Sequence, residues 1–163
     1  MRHQKTRRKF SRTPAHRQAL LANLVRALIH YEQVSTTAAK AKALKSAADR
    51  IISRACEDTV AARRLVQPLL RDRSLLRKLF TEIAPLVKGT GGYVRVVHTY
   101  SRPGDRAPMA LVELVAKTPL YYERRKAEEA ARKAKKEEAR KAAEKSQEAA
   151  KASGGGGPAP GGE

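Results

Sequence analysis

The residues best equipped for chemistry lie at the start of the chain. The stretch MRHQKTRRKFSRTPAHRQ carries Arg2, Lys5, Arg7, Arg8, Lys9, Arg12 and Arg17, adds His3 and His16, and holds no carboxylate. Apart from Met1, Phe10 is its one large apolar residue before Pro14. Such a stretch cannot bury itself, and in water its charges repel one another. Its chemistry is that of a polyanion ligand, in which cationic side chains neutralise phosphates and release their counterions. Arginine outnumbers lysine here by five to two. That favours phosphate contact, because a planar guanidinium grips phosphate through two parallel hydrogen bonds and stacks on an unpaired base.

Catalytic and metal-binding constellations are missing from the sequence. His3, His16, His30 and His98 are widely spaced, with no Cys or carboxylate partner at ligand spacing. His3 and His16 sit among arginines, which points to phosphate rather than metal. The glycines of Gly89-Thr90-Gly91-Gly92 lack the Lys-Ser/Thr of a phosphate-binding loop, and the pattern around them runs helix, turn, strand, the reverse of what that loop needs. The eight carboxylates of residues 1–118 offer no acid/base pair. Cys56 is the sole cysteine, so no internal disulfide framework exists and a reducing compartment fits. A structural protein without catalysis, cofactor, metal or small-molecule substrate is expected.

The whole chain of 163 residues has 35 Lys+Arg against 16 Asp+Glu, a formal net charge of +19. The excess is uneven: residues 1–118 hold 24 basic and 8 acidic residues, net +16, and residues 119–163 hold 11 and 8, net +3. The polyanion-binding part is therefore the first two-thirds. No secretory signal follows the basic start, and no run approaches the roughly 18 apolar residues that span a bilayer. An Arg-rich, acid-poor start also occurs in organellar transit peptides, but Pro14 and the helix after it read as part of the body. A soluble, intracellular protein with no membrane partner is expected.

The elements that must position these charges follow from periodicity. Thr13-Pro14 starts a helix, with Thr13 as cap and Pro14 at the first helical position. Leu20, Leu21, Leu24, Val25, Leu28 and Ile29 then form one apolar stripe that fades near His30-Tyr31. Gln33–Thr37 reads as a brief strand. A second helix from about Ala38 to Cys56 turns Ala41, Leu44, Ala48, Ile51, Ile52 and Ala55 inward. Asp58 is placed to cap a short third helix that stops before Pro68. Asp72 is placed to cap a fourth, with Leu75, Leu76, Leu79, Phe80 and Ile83 as its stripe and Pro85 as its end. Tyr93–Tyr100 and Met109–Val115 read as antiparallel strands joined by a loop rich in turn formers. The fold class is α+β, a small mixed or antiparallel sheet of about three strands with about four helices packed on one face.

After Pro119 the sequence becomes almost pure Ala, Glu, Lys and Arg, with Glu128–Arg132, Glu129–Lys133 and Glu137–Lys141 at i,i+4. It lacks a leucine seam, so a solvated single helix is expected rather than a coiled coil. GGGGPAPGGE at the end reads as disordered. The expected organisation is an arm over 1–13, a globular domain over 14–118, a charged helical extension over 119–152 and a tail over 153–163.

Several partners compete for a basic surface. No zinc finger or basic zipper is present, and the apolar stripe of the fourth helix weakens a helix-turn-helix. The strand Tyr93–Tyr100 lacks the paired aromatics of an RNA-recognition sheet. The first helix turns its apolar face to the core, which argues against a membrane-surface helix. Recognition of folded RNA by shape and backbone remains, with an arm that orders on binding. A nucleoid-type DNA-binding protein is the rival class.

The blocks MRHQKTRRKFSRTPAHRQALLANL, TTAAKAKALKSAADRII, DTVAARRLV, LLRKLF and GGYVRVVHTYSRPGDRAPMALVELV resemble, in order, the bacterial large-subunit ribosomal protein L-seventeen family over about residues 1–117. Arg7 stands where that family commonly has Gly, adding a charge and stiffening the arm. The tail after Lys117 lies outside the family core. The resemblance implies an α+β domain on large-subunit (23S) rRNA, towards the polypeptide exit region, with neighbouring ribosomal proteins as further partners. The expected RNA contacts are Arg2, His3, Lys5, Arg7, Arg8, Lys9, Arg12, His16 and Arg17 from the arm and its root, with Arg63, Arg64, Arg95, Arg102 and Arg106 from the body.

Overall fold

Helix formation begins where the arm's composition ends. The computed structural model describes residues 8–87 and 91–153, so Arg2, His3, Lys5, Arg7 and the glycine turn's Gly89 and Thr90 lie outside the described residues. Helix α1 spans Pro14–Tyr31 and buries Ala22, Val25, Leu28 and Ile29. Thr13 holds the cap position, but its hydroxyl makes no capping bond. Its carbonyl instead accepts from the Arg17 N–H at 2.9 Å, and Pro14 has no N–H to satisfy. Glu32 ends α1 in the left-handed conformation at φ 62°, where its N–H donates to the Leu28 carbonyl at 2.7 Å.

Strand β1 (Gln33–Thr37) leads directly into α2 (Ala38–Ala55). The six inward residues expected of α2 are all buried, which on area grounds contributes roughly 1.5–3 kcal/mol for each large aliphatic side chain.

Helix α3 spans Val60–Leu70 and differs from expectation at both ends. Thr59, not Asp58, caps it, its hydroxyl accepting from the Ala62 N–H at 3.1 Å. Asp58 turns away at φ 43°. Pro68 lies inside the helix instead of beyond it. Pro68 cannot donate to the Arg64 carbonyl, but it is exposed, where water can take up that carbonyl. Burial of Val66 and Leu70 holds the final turn in place. Helix α4 (Arg73–Lys78) is capped by Asp72, which accepts from the Ser74 N–H at 2.9 Å.

Pro85 does not end the helical run. A π turn over Leu79–Ile83 follows α4, and α5 continues over Ala84–Val87. The Ala84 N–H bonds back to the Leu79 carbonyl, which shifts the register by one residue. Pro85 thereby falls in the first turn of α5, where a missing N–H is tolerated.

Strands β2 (Val94–Ser101) and β3 (Pro108–Leu114) complete a sheet of order β1-β3-β2, antiparallel throughout. Val112 lies opposite Val34 on one side and Val96 on the other. Thr36, Val94, Ala110, Val112 and Leu114 are buried. Helices α1 and α2 pack on that sheet, and α3 and α4 pack on α1 and on each other. The fold is α+β, as its periodicities imply.

The chain divides into two units, one ending at Tyr121 and the other beginning at Tyr122. The first holds all the elements above and the opening turn of α6 (Pro119–Ser153). The second runs to Glu163 and contains the remainder of α6, whose described side chains from Tyr122 to Glu138 are exposed; the tail expected after residue 153 lies outside the described residues. Along it Arg125 pairs with Glu129 at 3.5 Å.

Candidate nucleic-acid interface

The basic residues of the first unit fall into three groups. The root of the arm is the first. Arg8 and Lys9 are exposed, and Phe10 and Ser11 both take positive φ, 57° and 50°, a tight turn just ahead of α1. Arg12 Nη1 donates to His16 Nε2 at 2.9 Å, a contact that joins the arm to the first turn of α1. Arg17 is half-buried on the same turn.

The β2–β3 hairpin is the second group. Arg102 is held by Asp105, with Nε–Oδ1 at 3.1 Å and Nη2–Oδ2 at 2.5 Å, and the Ala107 N–H donates to Asp105 Oδ1 at 3.2 Å. Hydrogen bonds from Arg102, with help from Ala107, hold the Asp105 carboxyl well below the usual carboxylate range, at about 2. Half of the Arg102 side chain stays exposed (51%), so it offers a fixed and partly neutralised cation. Arg106, at φ 51°, and Tyr100 are exposed on the same projecting hairpin. Arg95 lies lower on β2, 3.8 Å from Glu113 on β3, and stands apart from the hairpin tip by register.

The third group was only half legible. Arg63 and Arg64 on α3 share a groove of about 790 Å³ with Arg73 and Arg77 on α4, over a floor that includes Leu76 and Phe80. Among the described residues that line it there is no carboxylate. Arg63 Nη2 and Nε both donate to Asp58 Oδ1, at 2.6 and 3.0 Å, and its guanidinium lies 5.1 Å from the Phe80 ring centroid. Arg73 and Arg77 were not anticipated. Their i,i+4 spacing beside the Leu75, Leu76, Leu79 and Phe80 stripe was the available signal, because it sets both on one polar face.

Other cations serve the fold. Arg26 Nε donates to the Leu69 carbonyl at 2.9 Å, tying α1 to α3. Lys117 pairs with Glu113 at 2.6 Å. Burial alone would lower its pKa, but hydrogen bonds to Glu113 and Tyr121 outweigh that and raise it. Among the described residues no cluster of three or more His, Cys, Asp or Glu is arranged to hold a metal ion. No helix there is long and apolar enough to cross a membrane.

The model of the family described as Ribosomal protein L17 matches residues 20–115, from within α1 through the end of β3. The chain belongs to this ribosomal protein L17 family. It is therefore a structural constituent of the large ribosomal subunit, a ribonucleoprotein component that serves translation. The matched segment contains the hairpin and the α3–α4 groove. The arm before residue 20 and helix α6 lie outside it.

Proposed function

We propose that this L17-family protein binds and stabilises folded large-subunit rRNA through the arm and its root, the hairpin tip and the α3–α4 groove, without catalysing a reaction. The observation that carries this reading is the concentration of charge, net +16 over residues 1–118, on a family body of the large subunit. Arginines placed on helices and a hairpin of a rigid core meet backbone phosphates without reading sequence. An arm that lacks its own core becomes ordered only against the polyanion. Neighbouring large-subunit proteins complete the surroundings, and the family resemblance supports a position towards the polypeptide exit region in cytoplasmic ribosomes.

Crosslinking in cells, followed by sequencing of the recovered nucleic acid, tests this reading. Large-subunit rRNA is expected to dominate. Recovery chiefly of genomic DNA would overturn it in favour of a nucleoid-type protein.

A further inference from the structure

The α3–α4 groove is more than another patch of positive charge. Arg63 is hydrogen-bonded along one edge by Asp58, and its guanidinium carbon lies 5.1 Å over the Phe80 ring. Phe80 itself is 5% exposed and belongs to the core, so the ring is a support and not a free stacking surface. The Arg63 side chain nevertheless remains 55% exposed. A planar cation that is hydrogen-bonded along one edge, set over a core ring and still half exposed offers solvent a positioned planar surface. A purine or pyrimidine stacks on such a face with little loss of side-chain freedom.

A paired base inside an A-form helix cannot reach that face, because its own neighbours cover it. An unpaired, extruded base can, and its flanking phosphates then need cations at the rim. Arg64, Arg73 and Arg77 supply them around the same groove. An acidic peptide would satisfy these rim charges but would leave the flat guanidinium face unused.

We propose that the α3–α4 groove receives one unpaired nucleotide of the bound RNA, its base stacked on Arg63 and its adjoining phosphates held by Arg64, Arg73 and Arg77. The inference rests on the reading of the chain as an RNA binder and assigns one site within that function. It makes the protein selective for a bulged or looped RNA where charge alone would accept any duplex.

The test uses the full chain and two RNA hairpins of equal length, one fully paired and one with a single unpaired 2-aminopurine. The bulged hairpin is expected to bind roughly tenfold tighter, the worth of a modest base-stacking contact, with the 2-aminopurine fluorescence quenched. Arg63→Lys keeps the charge and removes the plane. It is expected to abolish both the preference for the bulged hairpin and the quenching. Should that variant unfold, Arg73→Gln with Arg77→Gln carries the test, since these exposed side chains can change without touching the core. The pair is expected to lose the quenching and to reduce the salt dependence of binding. Equal wild-type affinity for the two hairpins overturns the inference and leaves the RNA-binding function standing. Failure to bind either hairpin or purified large-subunit rRNA overturns both. If Arg63→Lys weakens binding of a polyglutamate peptide and not of the bulged hairpin, the groove is a peptide site and the inference fails.

Discussion

Glu32 and Lys78 meet at 2.7 Å in a place where the carboxylate is 1% exposed. The contact joins elements that are distant in sequence. Glu32 Oε1 also accepts from the Thr118 hydroxyl at 2.6 Å, and Oε2 accepts from the Thr118 N–H at 2.8 Å. Lys78 Nζ donates in addition to the His30 carbonyl at 2.9 Å, and the Leu114 N–H donates to the Glu32 carbonyl at 3.1 Å. The end of α4 and the segment leading into α6 are thus fastened at the Glu32 carboxylate, and the last residue of β3 at the carbonyl of the same residue. Helix α4, which carries Arg73 and Arg77 of the groove, is tied through this knot to the end of α1.

Removing one member of a buried ion pair leaves the other charged and unpaired, at a cost of about 3–5 kcal/mol. Glu32→Gln should therefore lower the unfolding free energy by roughly 3 kcal/mol, and a Glu32/Lys78 double-mutant cycle by chemical denaturation should show strong coupling. The exposed Arg63–Asp58 pair, 55% and 56% accessible, should couple by less than about 1 kcal/mol in the same assay. Equal coupling in the two pairs would contradict this assignment.

Asp49 on α2 works against the fold at neutral pH. Its Oδ1 is buried without a hydrogen-bond partner. Burial pushes its carboxyl above the ordinary value of 3.8, although Lys45 and the backbone of Val94 and Tyr93 favour the charged form. A raised carboxyl pKa means that the folded state holds its proton more tightly than the unfolded state does. Stability from this group is therefore lost as pH rises from about 3.8 through the folded pKa. Asp49→Asn should be at least as stable as the parent at pH 7, and the gap should close in acid. Thermal unfolding across pH 3–7 reads this directly, and a variant clearly weaker at pH 7 would contradict it.

The hairpin carries the opposite sign. The Asp105 carboxyl is held down at about 2, so its contribution is present above the unfolded value and is lost only as pH falls through that range. The Ala107 amide resonance should titrate with a midpoint near 2, and Asp105→Asn should abolish that titration. The same substitution frees Arg102 for phosphate, so RNA binding should become more dependent on salt. An Ala107 resonance that titrates near 4, the ordinary range for a free carboxyl, would contradict the clamp.

Helix α6 should be dispensable for folding beyond its first turn. The Tyr121 hydroxyl donates to Gln33 Oε1, and Thr118 ties to Glu32, so the first turn of α6 and the segment before it are fastened to the start of β1. A chain of residues 1–125 should keep its Tm within about 3 °C of the full chain. Ending the chain before Thr118 should lower Tm well beyond that. Equal losses would show that the exposed helix supports the core.

What the sequence revealed depended on range. Periodicity locates α1 and α2, because each buries its own stripe, and β-forming residues between turn formers locate β1 and the hairpin. Pro68 and Pro85 mislead, because proline in a sequence reads as a stop. A surface position near the end of α3 and a π turn ahead of α5 removed the expected penalty. Arg63 and Arg64 were visible as adjacent cations, but the groove they share with Arg73 and Arg77 forms only when α3 packs on α4. Glu32 gave no local sign, because its partners lie 46 and 86 residues away, at Lys78 and Thr118. Long-range polar knots of this kind have no periodicity to reveal them.

The arm remains the feature on which the account of function turns. Deleting residues 2–12 removes Arg2, His3, Lys5, Arg7, Arg8, Lys9 and Arg12 and leaves α1 and its core intact. Expressed in cells, the deleted chain is predicted to fold, with an unchanged circular dichroism spectrum, and to be absent from purified large-subunit particles. Normal incorporation of the deleted chain into those particles would contradict the arm as the rRNA anchor.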